Sequence, residues 1–406
     1  MKLLVQDFVK NNSLGKLYEM HGVEVSFSKD GTKISFNYSQ IKSKESDKLA
    51  CQCRGLVLAL KSGKSIYEFP EFKIVNGSKQ TKDIILGDTV IVSYGFDRFF
   101  NYGQSTAYVD FNKEIKVYEK LDGTCIFVYF HNKWNIATRS SPEADIEMGN
   151  SLYENYTFSS LFKKCIKDTI GISFEEYTKT LDKNITYVFE LTSPQNKIVV
   201  NYNNYRATLL AARNKISFKE YNIEEMNNLV PCVNYFDIKK IEDIISFVKE
   251  RKAFEHEGVV IKDSDFNRVK IKNPEYIILN KARDLLSKSK RGIISIILSE
   301  KEDDLIPYLA EDIVNEINLF KEKLSNFIDK VDSNYKKYID EVNLYPDSEK
   351  NKRKRFAELV NLNEKYVAPF FQIYSGKASN MKDFLSKNNK DGWSDSFIDN
   401  IIEAIK

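Results

Sequence analysis

The sequence predicts an α+β protein in two parts, sheet-rich over residues 1–275 and all-helical over 276–406, and three observations carry that expectation. Short runs rich in β-branched and aromatic residues, bounded by turn residues, recur up to about residue 275. Beyond Pro274 the period changes: Ile313, Ile317, Phe320, Leu324, Phe327, Val331, Tyr335 and Tyr338 recur at steps of three and four, one apolar stripe on a long helix. The chain of 406 residues is also longer than a single core ordinarily serves, since domains run to about 100–200 residues.

Taken in order, strands are expected at 55–60, 89–92, 126–129, 187–191, 198–200 and 258–261, each a short apolar run between turn signals. A flanking helix is expected at 241–248, where apolar residues return every three to four positions. The stripe from Ile313 to Tyr338 covers fewer than four heptads, so it reads as core of a small helical domain and not as a partner-seeking coiled coil. Further helices are expected at 293–298 and 397–405, and alternating strand patterns nearly vanish there.

Composition bounds the function classes. Lys+Arg number 61 and Asp+Glu 58, a net charge of +3, so affinity for an anionic partner must come from local clustering. Hydrophobic residues at 42% and aromatics at 13% exclude a disordered or collagen-like chain. Mean hydropathy is -0.42 and no apolar run approaches the roughly 18 residues of a bilayer span, so a soluble protein with no membrane partner is expected. Asp7 interrupts the N-terminus before a signal-peptide core can form, and export is not expected. Five scattered cysteines without a CxxC pair fit a reducing cytoplasm, the host's if the source is viral, and offer no zinc cluster. The histidines His21, His131 and His256 lie far apart, so any metal should be held by hard oxygen ligands.

The segment Lys120-Leu121-Asp122-Gly123 supports two readings. Asp-Gly between apolar runs is a strong hairpin signal, which makes Lys120 an ordinary strand-end lysine. Alternatively, a lysine fixed at such a turn is a nucleophile, provided desolvation and nearby cations lower its pKa. Lys270 and Lys272 offer those cations, because a period of two puts both ammonium groups on one strand face, where they can also hold phosphate oxygens; the same pair could equally guard an edge strand. Glu190 and Glu257 sit in otherwise apolar strands, where a carboxylate is costly unless it meets a cation, a sugar hydroxyl or a hydrated metal, or reaches solvent at a strand end.

The order of these elements resembles that in the covalent nucleotidyltransferases, the polynucleotide ligases and messenger-RNA capping enzymes. Within them it is most similar to the ATP-dependent RNA ligase 1 family of T-even-type phages. Cys53-Arg54-Gly55-Leu56-Val57 and the run from Phe69 through Lys73 to Asn76 resemble that family's phosphate-binding segments, and the runs 198–202 and 209–213 resemble a later motif pair. Thr138-Arg139-Ser140 lies where the family usually has a lysine, so Arg139 keeps the charge with a different geometry. The resemblance implies a nucleotidyltransferase (adenylyltransferase) domain of antiparallel sheets flanked by helices over 1–275. It implies that Lys120 attacks the α-phosphate of ATP to give a lysyl-adenylate, with Lys270 and Lys272 at that phosphate. Arg54 and Lys73 would hold the outer phosphates, Arg139 a phosphate or the ribose, Glu190 the ribose or a metal-bound water, and Glu257 magnesium or manganese. Gly123 would allow close approach to the nucleotide, and Asp122 would orient the turn.

The partners implied are RNA with 5′-phosphate and 3′-hydroxyl ends, nicked tRNA among them, and a separate end-healing kinase and phosphatase, in RNA repair by a monomer. The helical part would be a tRNA- or RNA-specificity module, and its basic run 350–355 either tracks phosphates or is a solvated helix start. The alternatives are a DNA ligase or capping enzyme, and a non-catalytic protein that only binds RNA ends. The first normally continues into a strand-rich OB-fold barrel, where this sequence turns helical. The second would be expected to lose Lys120.

Overall fold

The computed structural model describes residues 2–39, 42–75, 78–145, 156–280, 293, 294, 297, 311–344, 348–387 and 395–405. Two units, Met1–Ile277 and Ile278–Lys406, divide the chain. Among the described residues every strand lies in the first unit, which makes the protein α+β.

The first sheet orders β1 (Val23–Phe27), β2 (Lys33–Tyr38), β3 (Leu56–Leu60) and β6 (Thr89–Ser93), while β4 (Lys73–Val75) and β5 (Ser78–Gln80) form a separate ribbon. The helices α1 (Leu4–Asn11), α2 (Leu14–His21) and α3 (Lys48–Gln52) share a core with this sheet. Strand β3 is buried throughout because its two faces serve two cores. Leu56, Leu58 and Leu60 join the core of α1–α3, whereas Val57 and Ala59 meet the next sheet, the period of two of a strand covered on both sides.

Two more sheets follow. Before them come β7 (Phe100–Asn101) and β8 (Ile115–Glu119); β9 (Thr124–His131), β10 (Lys133–Thr138), β11 (Ile185–Thr192) and β12 (Arg206–Asn214) then form an antiparallel sheet ordered β10-β9-β11-β12. The helices α4 (Phe158–Ile170) and α5 (Phe174–Tyr177) cover one face, packing on Ile126, Val128, Tyr187 and Phe189. The other face, with Phe127, Tyr129 and Val188, packs on Val57, Ala59 and Val92 of the first sheet. The third sheet runs β13-β8-β14-β15-β7, with β13 (Tyr235–Phe236), β14 (Gly258–Asp263) and β15 (Arg268–Lys272); Ile244 and Val248 of α6 (Ile241–Lys249) pack on Val117, Val259 and Ile261 behind it.

Two expectations are corrected. Residues 120–123 do not turn a hairpin, because β8 and β9 belong to different sheets and the segment carries the chain across. Lys120 keeps pairing with the third sheet, its N–H donating to the Gly258 carbonyl at 2.9 Å, and Asp122 is buried. Residues 198–200 form no strand, since the amides of Val199 and Val200 both donate to Asp122 Oδ2 at 2.8 Å instead of to a ladder. A carboxylate and two amides thus outcompete the local β propensity of Ile-Val-Val.

The second unit holds α7 (Glu311–Asn343), α8 (Glu349–Asn363), α9 (Ala368–Tyr374), α10 (Met381–Lys387) and α11 (Asp395–Ala404), and no strand among its described residues. The stripe on α7 is core: Ile317, Phe320, Leu324, Val331 and Tyr338 are buried with Phe356, Phe370 and Phe384. Ile313's side chain, and most of the helix expected at 293–298, lie outside the described residues, although Ile293, Ile294 and Ile297 are helical and buried in that core. The basic run occupies the first turns of α8, where Lys350, Arg353 and Lys354 are exposed.

Because Phe127 is fully buried where two sheets meet, Phe127→Ala should cost about 3–5 kcal/mol in urea unfolding. Met20→Ala, at a residue 66% exposed, should stay within about 0.5 kcal/mol. Equal, small effects would contradict the packing of sheet on sheet.

Candidate active site

Lys120 leaves the end of β8 and meets Glu257, which immediately precedes the neighbouring β14. Its Nζ lies 2.7 Å from Glu257 Oε2, and Lys272 Nζ of β15 lies 2.8 Å from Oε1 of the same carboxylate. One carboxylate, only 4% exposed, therefore joins two lysines from the strands on either side of β14. Gly258 makes the approach possible: it sits opposite Lys272 at φ 148°, and a Cβ there would stand 2.1 Å from the Ile271 carbonyl oxygen. Lys270, two residues before Lys272, shares its face.

Beyond Lys120 the crossing is fixed by side chains far away in sequence. Asp122 takes the amides of Val199 and Val200 on Oδ2 and the Tyr276 hydroxyl on Oδ1 at 2.6 Å, while its own N–H donates to Tyr202 Oη at 3.0 Å. The Gly123 N–H donates to Glu190 Oε1 at 3.0 Å. A Cβ on Gly123 would lie 2.2 Å from the Leu191 carbonyl oxygen, so only glycine fits between β9 and the end of β11. Thr124 Oγ1 donates to Asn196 Oδ1 at 3.0 Å, tying the segment 193–205 to the same turn.

Three arginines gather around Tyr38. Arg54 Nη1 donates to its hydroxyl at 3.2 Å, the Arg98 guanidinium lies 4.2 Å from its ring centroid, and that of Arg139 lies 5.5 Å away. Arg54 also stacks between Phe96 and Phe99, 5.4 Å from each ring. Among the described residues none of the three has a carboxylate within ion-pair distance, and Arg98 Nη1 and Arg54 Nε are buried without a partner. An uncompensated cluster of this kind is an anion site waiting for its charge.

The electrostatics follow from burial and proximity. Burial alone would lower the Lys120 pKa, but the carboxylates of Glu257, Glu190 and Asp122 outweigh it and hold the ammonium form. The expected lowering of the Lys120 pKa is therefore not found in the free protein, because its nearest neighbours are acids. Lys270 is the lysine brought down, to about 7, by burial and then by Arg54, Lys120 and Lys272. Glu190 is pushed up to about 8: burial dominates, Lys120 opposes it, and Glu257 and Asp122 add to it. Glu257 falls below the usual range because its two lysines outweigh its burial.

The site thus brings together Lys120, Lys270, Lys272, Arg54, Arg139, Gly123, Glu190 and Glu257. Lys73 does not join them: it is exposed on the β4 ribbon, and no ion pair or hydrogen bond links it to the cluster among the described residues. Asn76, the end of the motif that suggested Lys73, lies outside the described residues. Arg98, Tyr38, Tyr276 and Asn196 are site residues that no sequence motif singled out, and Tyr202 was marked only as the end of the run 198–202. The run Asp97-Arg98-Phe99-Phe100, a cation beside aromatics, was a signal for the first. A narrow apolar cleft beside the cluster is lined by Phe96, Phe99, Glu119, Leu210 and Val260.

Residues 52–276, more than half of the chain, match the family described as RNA ligase. An RNA ligase of Rhodothermus phage RM378 is 24% identical over 72% of this chain and 79% of its own length. A putative bifunctional polynucleotide kinase/RNA ligase of Autographa californica nuclear polyhedrosis virus is 23% identical over 76% of this chain and 42% of its own. Among solved structures, an archaeal ATP-dependent RNA ligase is 13% identical, with a TM-score of 0.43 over 77% of this chain and 78% of that one.

Since the raised Glu190 pKa means that folding disfavours its ionised form, its stabilising share is complete below about pH 4.5 and is lost as pH rises through about 8. Glu190→Gln should therefore unfold at a similar temperature at pH 5 and at a clearly higher one at pH 9. Equal melting temperatures of variant and parent at pH 9 would contradict the strained carboxylate.

Proposed function

The chain belongs to the RNA ligase family, and from that premise we propose that it is an ATP-dependent enzyme that joins RNA 5′-phosphate and 3′-hydroxyl ends through a lysyl-adenylate on Lys120. The observation that supports this most is the convergence of Lys120, Lys272 and Glu257 beside three arginines without anionic partners. A triphosphate supplies the charge those arginines lack.

In this reading the adenine lies toward the cleft of Val260 and Leu210, and the α-phosphate comes to Lys120, between Lys270 and Lys272. Arg54, Arg98 and Arg139 hold the outer phosphates; Arg98 takes the place first given to Lys73. Lys120 Nζ, neutral after losing its proton, forms a bond to the α-phosphorus as the bond to the β-phosphate oxygen breaks and pyrophosphate leaves. An RNA 5′-phosphate oxygen then displaces the lysine to give an RNA-adenylate, and a 3′-hydroxyl oxygen displaces AMP to seal the strand. Glu190, neutral below about pH 8 and anchored through Oε1 to Gly123, can donate from Oε2 to a ribose oxygen.

The donor chemistry suits magnesium or manganese: Glu257 offers hard carboxylate oxygens, and Glu190 would reach the metal through a bound water. Among the described residues no group of three side chains is placed to hold a metal by itself. When bound there, a divalent cation supplies positive charge that offsets the carboxylates' hold on the Lys120 proton and stabilises the leaving pyrophosphate. The cations in the first turns of α8 oppose the helix dipole, a local cost that an RNA phosphate facing them would offset, and the RNA they meet could be a broken tRNA.

Lys120→Ala should fail to circularise a 5′-phosphorylated RNA, with at least a thousandfold loss, yet still seal an RNA supplied with a preformed 5′-adenylate. A variant that circularises the 5′-phosphorylated RNA at the parental rate would overturn the assignment. Arg98→Ala should raise the KM for ATP by about tenfold or more, the scale of one lost charge-assisted contact, while Lys73→Ala should leave it unchanged.

A further inference from the structure

We infer that the outward face of α4 and the surface on either side of it form a track for single-stranded RNA that ends at the nucleophile's turn. This rests on the RNA ligase reading above and adds where the polynucleotide runs.

A surface cavity of about 790 Å³ lies away from the lysine cluster. It lies by the outer end of β9 and β10, lined by Phe130 and Trp134 and by Lys133, Lys163, Lys179 and Lys183. A second cavity of about 400 Å³ continues along α4 past Lys163, Lys164 and Lys167, and shares Phe174 and Glu175 with the first. A third, of about 440 Å³, shares Asp168 with the second and ends on Asn203, Asn204, Tyr205 and Arg206. The second thus shares lining residues with both others, and α4 alone, at 13 residues, spans about 20 Å.

The chemistry along this path fits a polynucleotide. Its acids are largely engaged: Glu143 is paired with Lys33, Glu175 with Lys163 and Asp168 with Lys164. Among the described residues Lys133, Lys167, Lys179, Lys183 and Arg206 have no carboxylate within ion-pair distance, so the free charge is positive. Aromatic rings alternate with it. Phe130 and Trp134 pack edge to face with centroids 5.5 Å apart, Lys183 lies 4.6 Å over Phe130, and Lys164 lies 4.0 Å over Tyr205. Ammonium groups for phosphates beside rings for bases are what a single strand needs, whereas an acidic protein surface would leave the rings unused.

The near end connects to the chemistry. The Tyr205 hydroxyl accepts from the Gln195 amide, and the segment 193–205 carries Asn196, bonded to Thr124, and Tyr202, bonded to the Asp122 N–H. The track therefore ends on the segment whose Asn196 and Tyr202 hold the turn that follows Lys120.

The test combines Lys133→Glu, Lys167→Glu and Lys183→Glu, all exposed and outside the catalytic cluster. Transfer of label from ATP to the protein should be unchanged, as should joining of a 5′-phosphorylated trinucleotide. For an unstructured RNA long enough to cover the three cavities, KM should rise at least tenfold, and the slope of log affinity against log salt should become shallower by about 2, for three lost phosphate contacts. Parental KM and salt slope on the long RNA would overturn the track, as would an equal loss on the trinucleotide or a loss of labelling. Failure of the parent protein itself to take label from ATP would instead strike the ligase reading beneath it.

Discussion

The rest of the site hangs on one buried carboxylate. Glu257 ties Lys120 of one strand to Lys272 of another, and removing one partner of such a buried set leaves an uncompensated charge costing about 3–5 kcal/mol. The sheet register, Gly258 and the crossing at 120–123 are all conditions for that meeting. Because the ion pairs join neighbouring strands β8, β14 and β15, the geometry of the cluster is set by backbone ladders, the stiffest element available to a protein of this kind.

Around this carboxylate the free protein is electrostatically unfinished. Burial, reinforced by the neighbouring acids, pushes Glu190 up to about 8, and burial, reinforced by the neighbouring cations, brings Lys270 down to about 7. The arginines around Tyr38 have rings for neighbours where anions belong. In the proposed reading a nucleotide triphosphate would relieve the cationic side and a divalent metal the acidic side, which gives each ligand a physical reason to favour the other. In the proposed reading Lys120, whose ammonium form the neighbouring acids hold, would become a nucleophile only once those ligands arrive.

Period and motif order made much of the framework legible in the sequence. The strands at 55–60, 126–129, 187–191 and 258–261, the helix at 241–248 and the apolar stripe on α7 are where the spacing placed them, since each is a local pattern buried on a predictable face. What failed was non-local. The apolar run 198–200 reads as a strand until Asp122, almost eighty residues earlier, claims its amides. Asp-Gly reads as a hairpin until Gly258 captures the backbone of Lys120. Lys73 and Arg98 were both basic residues near aromatics, and only tertiary packing shows that Arg98, with Cys51 holding its backbone, faces Tyr38. Tyr276, which braces Asp122 from 154 positions away, carries no local signal at all.

The central claim is that this cluster transfers a nucleotide to one lysine. The most direct measurement is to incubate the protein with magnesium and ATP labelled on its α-phosphate, having first cleared any resident AMP with pyrophosphate, and to map the labelled peptide by mass. The account predicts a single added AMP on Lys120, absent with GTP. A label on another residue, or none on a protein shown to carry no AMP at the start, would contradict it.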